Sequence, residues 1–109
     1  MTVRITDYDH FKNVFEEKKS QPVILFFTAS WCGPCQHVYP EVETLSAEHL
    51  DRLTFFKIDV DVDENEELVN QYDINSMPTF VLVVDGEVKE QFSGANVEKL
   101  RQLVANALA

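Results

Sequence analysis

Two kinds of hydrophobic spacing alternate along the chain. Short apolar or alternating runs predict five strands, and segments with apolar residues three or four positions apart predict four helices. A helix follows each of the first three strands, and the fourth helix follows the last strand, so the order is β-α-β-α-β-α-β-β-α. The predicted strands are Val3–Ile5, Val23–Thr28, Leu53–Ile58, Phe80–Val84 and Val88–Ser93.

This order of elements predicts the α/β class. Strands joined by a helix are expected to be parallel, because such a crossover returns the chain to the same end of the sheet. Asp85-Gly86 is a two-residue hairpin signal, which adds an antiparallel pair at one edge. Val23–Thr28 is apolar on both faces and is therefore expected at the centre. The expected fold is one domain, residues 1–109, with a mixed five-stranded sheet and helices on both faces.

The segment Trp31-Cys32-Gly33-Pro34-Cys35 lies where a predicted strand ends and a helix begins, and it holds the only two cysteines. At a helix N-terminus the unpaired amides and the helix dipole stabilise a thiolate, so Cys32 is the predicted nucleophile. Cys35 is one helical turn further on the same face, close enough to bond to Cys32. Pro34 stands in the first turn, where its missing amide has no intrahelical partner to lose.

Two other interpretations of the cysteine pair are weaker. A structural disulfide across two intervening residues closes too short a loop to constrain the unfolded chain much. A zinc site needs about four ligands. His37 is near the pair, but His10 and His49 show no ligand spacing relative to it. Spacing and context therefore favour redox chemistry.

An acidic run follows the third predicted strand. It lacks the glycine and the ligand spacing of a calcium loop, so no metal site is expected. The favoured interpretation is a polar connection whose carboxylates stabilise the start of the next helix. The run comprises Asp59, Asp61, Asp63, Glu64, Glu66 and Glu67.

The composition narrows the class of partner. The formal net charge of −10, from 19 acidic and 9 basic residues, argues against nucleic acid and anionic membranes, which need basic patches. It mildly favours partners with a basic surface, although solubility explains it equally well. The apolar runs are too short to span a bilayer, and the N-terminal residues lack the apolar core of a signal peptide. A dithiol without further cysteines fits a reducing compartment, so a cytoplasmic location is expected.

The motifs together resemble those of thioredoxins over essentially the whole chain. The Met-Pro-Thr-Phe and Phe-Ser-Gly-Ala-Asn versions are more similar to the eukaryotic cytosolic branch than to the bacterial one. The residues that carry the resemblance are Trp31-Cys32-Gly33-Pro34-Cys35, Pro40, Lys57, Ser76-Met77-Pro78-Thr79-Phe80 and Phe92-Ser93-Gly94-Ala95-Asn96.

The resemblance implies a thioredoxin fold and the activity of a protein-disulfide reductase. It implies that Cys32 attacks the disulfide of a substrate protein and that Cys35 then resolves the mixed disulfide. An NADPH-dependent thioredoxin reductase would restore the Cys32–Cys35 dithiol, and no tightly bound cofactor is needed. A monomer is expected, because the family is mostly monomeric and Lys89 and Glu90 discourage pairing at the hairpin edge.

The resemblance also implies how a substrate is held. Pro78 should follow a cis peptide bond and face the dithiol, which is plausible because cis bonds occur almost only before proline. An extended substrate strand is expected to pair beside Met77. The implied apolar docking surface consists of Trp31, Val60, Met77, Pro78, Gly94 and Ala95.

One position departs from the family pattern. Family members usually carry a buried aspartate six residues before the first cysteine, where this chain has Phe26. That carboxylate is thought to relay a proton to the second cysteine, so we expect Cys35 to deprotonate less readily and the mixed disulfide to resolve slowly. Lys57, which would pair with the carboxylate, must reach water, find another carboxylate or give up its proton. Gln36 stands where many members have a lysine.

Two alternative functions remain open from the sequence. An oxidase or isomerase of an oxidising compartment usually has a histidine between the cysteines, so Gly33-Pro34 favours the reductant. The second alternative is a binding module that uses the fold as a scaffold. Phe26 favours this hypothesis, and the intact cysteines argue against it.

Overall fold

The computed structural model describes residues 2–109, and its elements follow the predicted order. Met1, the first residue of the expected 1–109 domain, lies outside the described residues. Two strands have the predicted bounds, and the other three differ by one residue. The strands are β1 (Val3–Ile5), β2 (Val23–Thr28), β3 (Thr54–Asp59), β4 (Thr79–Val84) and β5 (Glu87–Ser93). The helices are α1 (Tyr8–Lys18), α2 (Gly33–Glu48), α3 (Glu66–Gln71) and α4 (Val97–Leu108), with a 3-10 turn at Asp63–Asn65.

The five strands form one mixed sheet in the order β1-β3-β2-β4-β5. Strands β1, β3 and β2 are parallel, and β4 is antiparallel to both β2 and β5. This confirms the mixed sheet and the hairpin at one edge. Asp85 and Gly86 have φ angles of 53° and 81°, as a type I′ turn requires at both central positions.

The sheet separates two apolar layers, because alternate residues of each strand point to opposite faces. Ile24 and Phe26 of β2 belong to the layer covered by α2 and α4. Val23, Leu25 and Phe27 belong to the layer covered by α1 and α3. All six residues of β2 are buried, which confirms its central place and the helices on both faces.

Helices α1 and α4 begin with side-chain caps at the same end of the sheet as the dithiol. Asp7 Oδ1 accepts a hydrogen bond of 2.7 Å from the His10 amide at the start of α1, and Asn96 caps α4. Glu66 and Glu67 lie in the first turn of α3, as expected for the acidic run. None of the helices within residues 2–109 is long and apolar enough to cross a membrane.

Candidate active site: the Cys32–Cys35 centre

The two cysteines are joined by a disulfide at the N-terminus of α2. Cys32 is the N-cap residue, and its sulfur accepts a hydrogen bond of 3.2 Å from the amide of Cys35. Their Cα atoms are 5.3 Å apart. Cys32 is 5% exposed and Cys35 is 0% exposed, so Cys32 is the more accessible of the two residues. A dithiol placed this way exchanges electrons through the outer sulfur first.

The turn between β2 and α2 is held by hydrogen bonds to a single carbonyl. The Ala29 carbonyl accepts from the amide of Cys32 at 3.2 Å and from the side-chain amide of Gln36 at 3.2 Å. Gln36 therefore anchors the start of α2 instead of placing a positive charge near the sulfurs. His37 is exposed on the helix surface.

The Met77–Pro78 segment faces the dithiol from the other side. The peptide bond between these residues is cis, and the Met77 carbonyl oxygen lies 3.8 Å from Cys32 Sγ. Met77 and Val60 pack against the small cluster formed by Ala29 and the two cysteines. Residues separated by more than forty positions in the chain thus meet at one sulfur atom.

Trp31 is 66% exposed beside the dithiol, and its ring is oriented by a carboxylate. The indole Nε1 donates a hydrogen bond of 2.8 Å to Asp61 Oδ1. Asp59 Oδ1 in turn accepts a hydrogen bond of 2.9 Å from the amide of Asp61. The side-chain amide of the buried Asn65 donates a hydrogen bond of 3.0 Å to the Asp59 carbonyl. These bonds tie the ring to the end of β3.

Two further members of the expected docking surface lie in the link from β5 to α4. The Gly94 amide donates a hydrogen bond of 2.9 Å to the Pro78 carbonyl. The φ angle of Gly94 is 106°, in the region that favours glycine. Ala95 packs against the layer covered by α2 and α4, which is a different cluster from the one around the sulfurs. The structure thus brings Val60 and Met77 to the dithiol more directly than Ala95.

The Phe26 side chain is completely buried in a row of aromatic rings beneath α2. Its ring stacks on Tyr39 with centroids 6.1 Å apart and on Phe80 at 5.1 Å, and Phe80 stacks on Phe92 at 5.1 Å. The strand register aligns Lys57, Phe26, Phe80 and Phe92 as neighbours across β3, β2, β4 and β5. An apolar row occupies the place where the resemblance leads one to expect a carboxylate.

Lys57 lies against an aromatic ring, a partner that was not predicted from the sequence. Its ammonium Nζ lies 4.2 Å from the centroid of the Tyr39 ring, and within residues 2–109 it forms no ion pair. A cation over a tyrosine face gains roughly 0.5–2 kcal/mol, more when it is shielded from water. Lys57 is partly buried, and the Tyr39 ring stabilises its charge where no carboxylate partner is found among the described residues.

Several contacts at the site carried no signal strong enough to be predicted from the sequence. Tyr39 is one helical turn after Cys35, but its contact with Lys57 needs the α2–sheet packing. Asp61 was assigned to a polar connection and proves to bind Trp31. Ser76, Thr79 and Ser93 contact one another beside Pro78.

The acidic run does not assemble a metal site in the described part of the chain. No group of three or more His, Cys, Asp or Glu side chains there is arranged to hold an ion. Asp59 and Asp61 are used in hydrogen bonds around Trp31, and Asp63 lies in the 3-10 turn.

A family model, a relative and a solved structure all show that the chain is similar to thioredoxins. A family model described as Thioredoxin matches residues 2–106. Thioredoxin of Ictalurus punctatus is 38% identical over 105 residues, covering 95% of this chain and 96% of that protein. The crystal structure of Fasciola hepatica thioredoxin superposes with a TM-score of 0.89 at 36% identity, covering 97% of this chain and 99% of that one.

A further relative is longer than the matched region. Thioredoxin-T of Drosophila melanogaster is 45% identical over 82 residues, which is 75% of this chain. The match spans about half, 51%, of that protein's length.

Proposed function

The chain belongs to the thioredoxin family, and we propose that it reduces disulfide bonds in other proteins. Family membership and the Cys32–Cys35 disulfide make it a protein-disulfide oxidoreductase. The direction of transfer is our proposal. The observation that carries it is the cysteine pair at the start of α2, whose more accessible residue, Cys32, follows the exposed Trp31.

The first step of the proposed mechanism is an attack by Cys32. In the reduced protein the helix N-terminus and the Cys35 amide stabilise its thiolate. The thiolate bonds to one sulfur of the substrate, the substrate S–S bond breaks, and the leaving sulfur takes a proton from water. The product is a mixed disulfide between Cys32 and the substrate.

The second step is resolution by Cys35. After Cys35 loses its proton, its sulfur bonds to Cys32 Sγ and the mixed disulfide breaks. The second substrate sulfur leaves as a thiolate and takes a proton. Two electrons have then passed from the Cys32–Cys35 pair to the substrate, and the protein carries the disulfide seen in the structure.

Regeneration requires two electrons from outside. An NADPH-dependent thioredoxin reductase is the proposed donor, from the family resemblance, and the cysteine pair itself is the only redox group that the cycle needs. A dithiol of this kind works in a reducing compartment, so we place the protein in the cytoplasm. A monomer suits an edge strand that carries a charged bulge residue, Lys89, paired at 3.1 Å with Glu87.

The proposed docking surface lies around Cys32. A substrate segment in extended form would pair with the backbone at Met77, next to the cis peptide bond. Its side chains would contact Trp31 and Val60 on one side and Gly94 and Ala95 on the other, with Pro78 beneath.

The decisive measurement is the redox potential of the Cys32–Cys35 couple, equilibrated against defined glutathione or dithiothreitol mixtures. We expect the value typical of thioredoxins, about −270 mV, together with reduction of insulin disulfides that is lost in Cys32→Ser. Dedicated oxidants and isomerases lie at about −120 to −180 mV. A potential in that range would overturn the proposed direction of transfer.

A binding module with slow redox turnover is a second candidate, and the buried Phe26 favours it. A scaffold would keep its partner when both cysteines are replaced. Loss of partner binding in the Cys32→Ser, Cys35→Ser double variant would therefore exclude a pure scaffold.

A further inference from the structure

Three hydroxyl groups surround the Met77–Pro78 segment. Ser76 and Thr79 flank it in the chain, and Ser93 reaches it from the end of β5. The Ser76 and Ser93 oxygens are 3.1 Å apart, and the Ser93 and Thr79 oxygens are 3.0 Å apart. Thr79 Oγ1 also lies 2.6 Å from the carbonyl oxygen of Ser76.

The direction of each hydrogen bond follows from the number of hydrogens. A hydroxyl has one hydrogen to donate and a carbonyl has none, so the Thr79 hydroxyl donates to the Ser76 carbonyl. Its hydrogen is then used, and Ser93 must donate to Thr79. Ser93 has no second hydrogen, so Ser76 donates to Ser93. The three bonds form a closed loop that starts and ends on Ser76.

The loop connects the two halves of the proposed docking surface. Thr79 and Ser93 are paired residues of β4 and β5, and the next amide, that of Gly94, donates to the Pro78 carbonyl. Met77, whose carbonyl oxygen lies 3.8 Å from Cys32 Sγ, stands between Ser76 and Thr79 in the chain. Bonds in such a chain polarise one another, so the loss of one member weakens the others.

We infer that Ser93 is a positioning residue for substrate docking, which rests on the proposed function. Through Thr79 and Ser76 it holds the Met77 backbone in the orientation that a substrate strand needs. The hydroxyls act through the backbone and are not in hydrogen-bond contact with either cysteine. Ser93 therefore affects substrates that bind along this backbone and leaves the reactivity of the sulfurs unchanged.

The test compares a protein substrate with a small disulfide. Ser93→Ala removes two of the three bonds, so the KM for insulin is expected to rise about fivefold while kcat changes less than twofold. The rate with 5,5′-dithiobis(2-nitrobenzoate), which needs no strand pairing, and the redox potential are expected to stay unchanged. Ser93→Thr keeps the hydroxyl and should restore the KM.

Thr44→Ala is the matched control. The Thr44 hydroxyl donates a hydrogen bond of 3.0 Å to the Pro40 carbonyl on the exposed side of α2. This is a hydroxyl-to-carbonyl bond like that of Thr79, and it lies outside the loop. Ser76→Ala, which removes a single exposed bond, provides a milder variant if Ser93→Ala is poorly folded, with a smaller rise in KM.

Three outcomes would overturn the inference while wild-type protein reduces insulin. These are an unchanged KM in Ser93→Ala, an equal loss with the small disulfide, and an equal rise in Thr44→Ala. A wild-type protein that fails to reduce insulin would instead overturn the proposed function, and this inference with it.

Discussion

Phe26 stands where the resemblance to thioredoxins leads one to expect a buried aspartate. Its fully buried ring stacks between the rings of Tyr39 and Phe80 beneath α2. Each stacked pair adds roughly 0.5–1.5 kcal/mol beyond the burial of its area. The position thus favours stability, and Cys35 must lose its proton without a carboxylate at that place.

Replacing Phe26 by aspartate should lower the stability of the fold and raise the rate of turnover. The introduced carboxylate would be placed opposite Lys57 in the strand register, so it has a partner for its charge. We expect the free energy of unfolding to fall by about 3–5 kcal/mol from the lost ring. Turnover at pH 7 should rise roughly threefold to tenfold, which is less than the ~100-fold of a well-placed acid–base group.

Phe26→Asn is the matched control for this prediction. It has the shape of aspartate without the acid, so it should lose similar stability and gain no rate. Chemical denaturation and an insulin-reduction assay measure the two effects. A Phe26→Asp variant no faster than wild type would refute the role assigned to this position.

At the scale of elements, the packing of α1 and α3 on the sheet is centred on aromatic rings. Phe11 contacts Phe56 edge-on at 5.8 Å and Tyr72 at 6.4 Å, while Tyr72 also lies 6.0 Å from Phe27. Burial raises the pKa of the Tyr72 phenol above 10.0, and repulsion from Tyr8 raises it further. The contact between these helices is therefore sensitive to alkaline pH.

The sign of this effect follows from proton binding. Above pH 10 the unfolded chain releases the Tyr72 proton before the folded protein does, so deprotonation favours unfolding. The stabilisation is complete below pH 10 and is lost as the pH rises through the pKa of the folded state. Urea unfolding between pH 8 and 11.5 should show a steeper loss of stability in wild type than in Tyr72→Phe. Parallel curves would contradict the raised pKa.

At the scale of the molecule, the charge is spread over a small body. The formal net charge is −10, and the molecule measures 34 × 29 × 21 Å. The screening length is about 30 Å at 0.01 M salt and about 8 Å at 0.15 M. Carboxylates across the whole molecule therefore repel one another at low salt, and largely do not at physiological salt. The ion pairs are mostly exposed, such as Lys19–Glu16, and contribute little.

Added salt should therefore stabilise the protein. We expect the Tm to rise by about 4 °C or more between 10 and 150 mM NaCl at pH 7, as for a relief of roughly 1 kcal/mol. Calorimetry measures this, and KCl at equal ionic strength should give the same shift. A Tm that stays constant or falls would mean that local ion pairs outweigh the overall repulsion.

Short-range patterns in the sequence determined the elements and the place of the dithiol. The apolar spacing predicted each strand within one residue, because strand pairing follows where apolar runs begin and end. The strand-to-helix change at Trp31 predicted Cys32 at the start of α2, because a helix N-terminus is defined by its own neighbouring residues. The resemblance to thioredoxins supplied the cis bond before Pro78.

Only the tertiary structure decided which distant groups meet. The Tyr39 ring over Lys57, the Asp61 bond to Trp31 and the hydroxyl loop through Ser93 join different elements. Such contacts depend on strand register and on helix packing over the sheet, and a shift of one residue would turn every side chain of a strand to the other face. The sequence determines the local elements directly, whereas these contacts exist only once the whole sheet has formed.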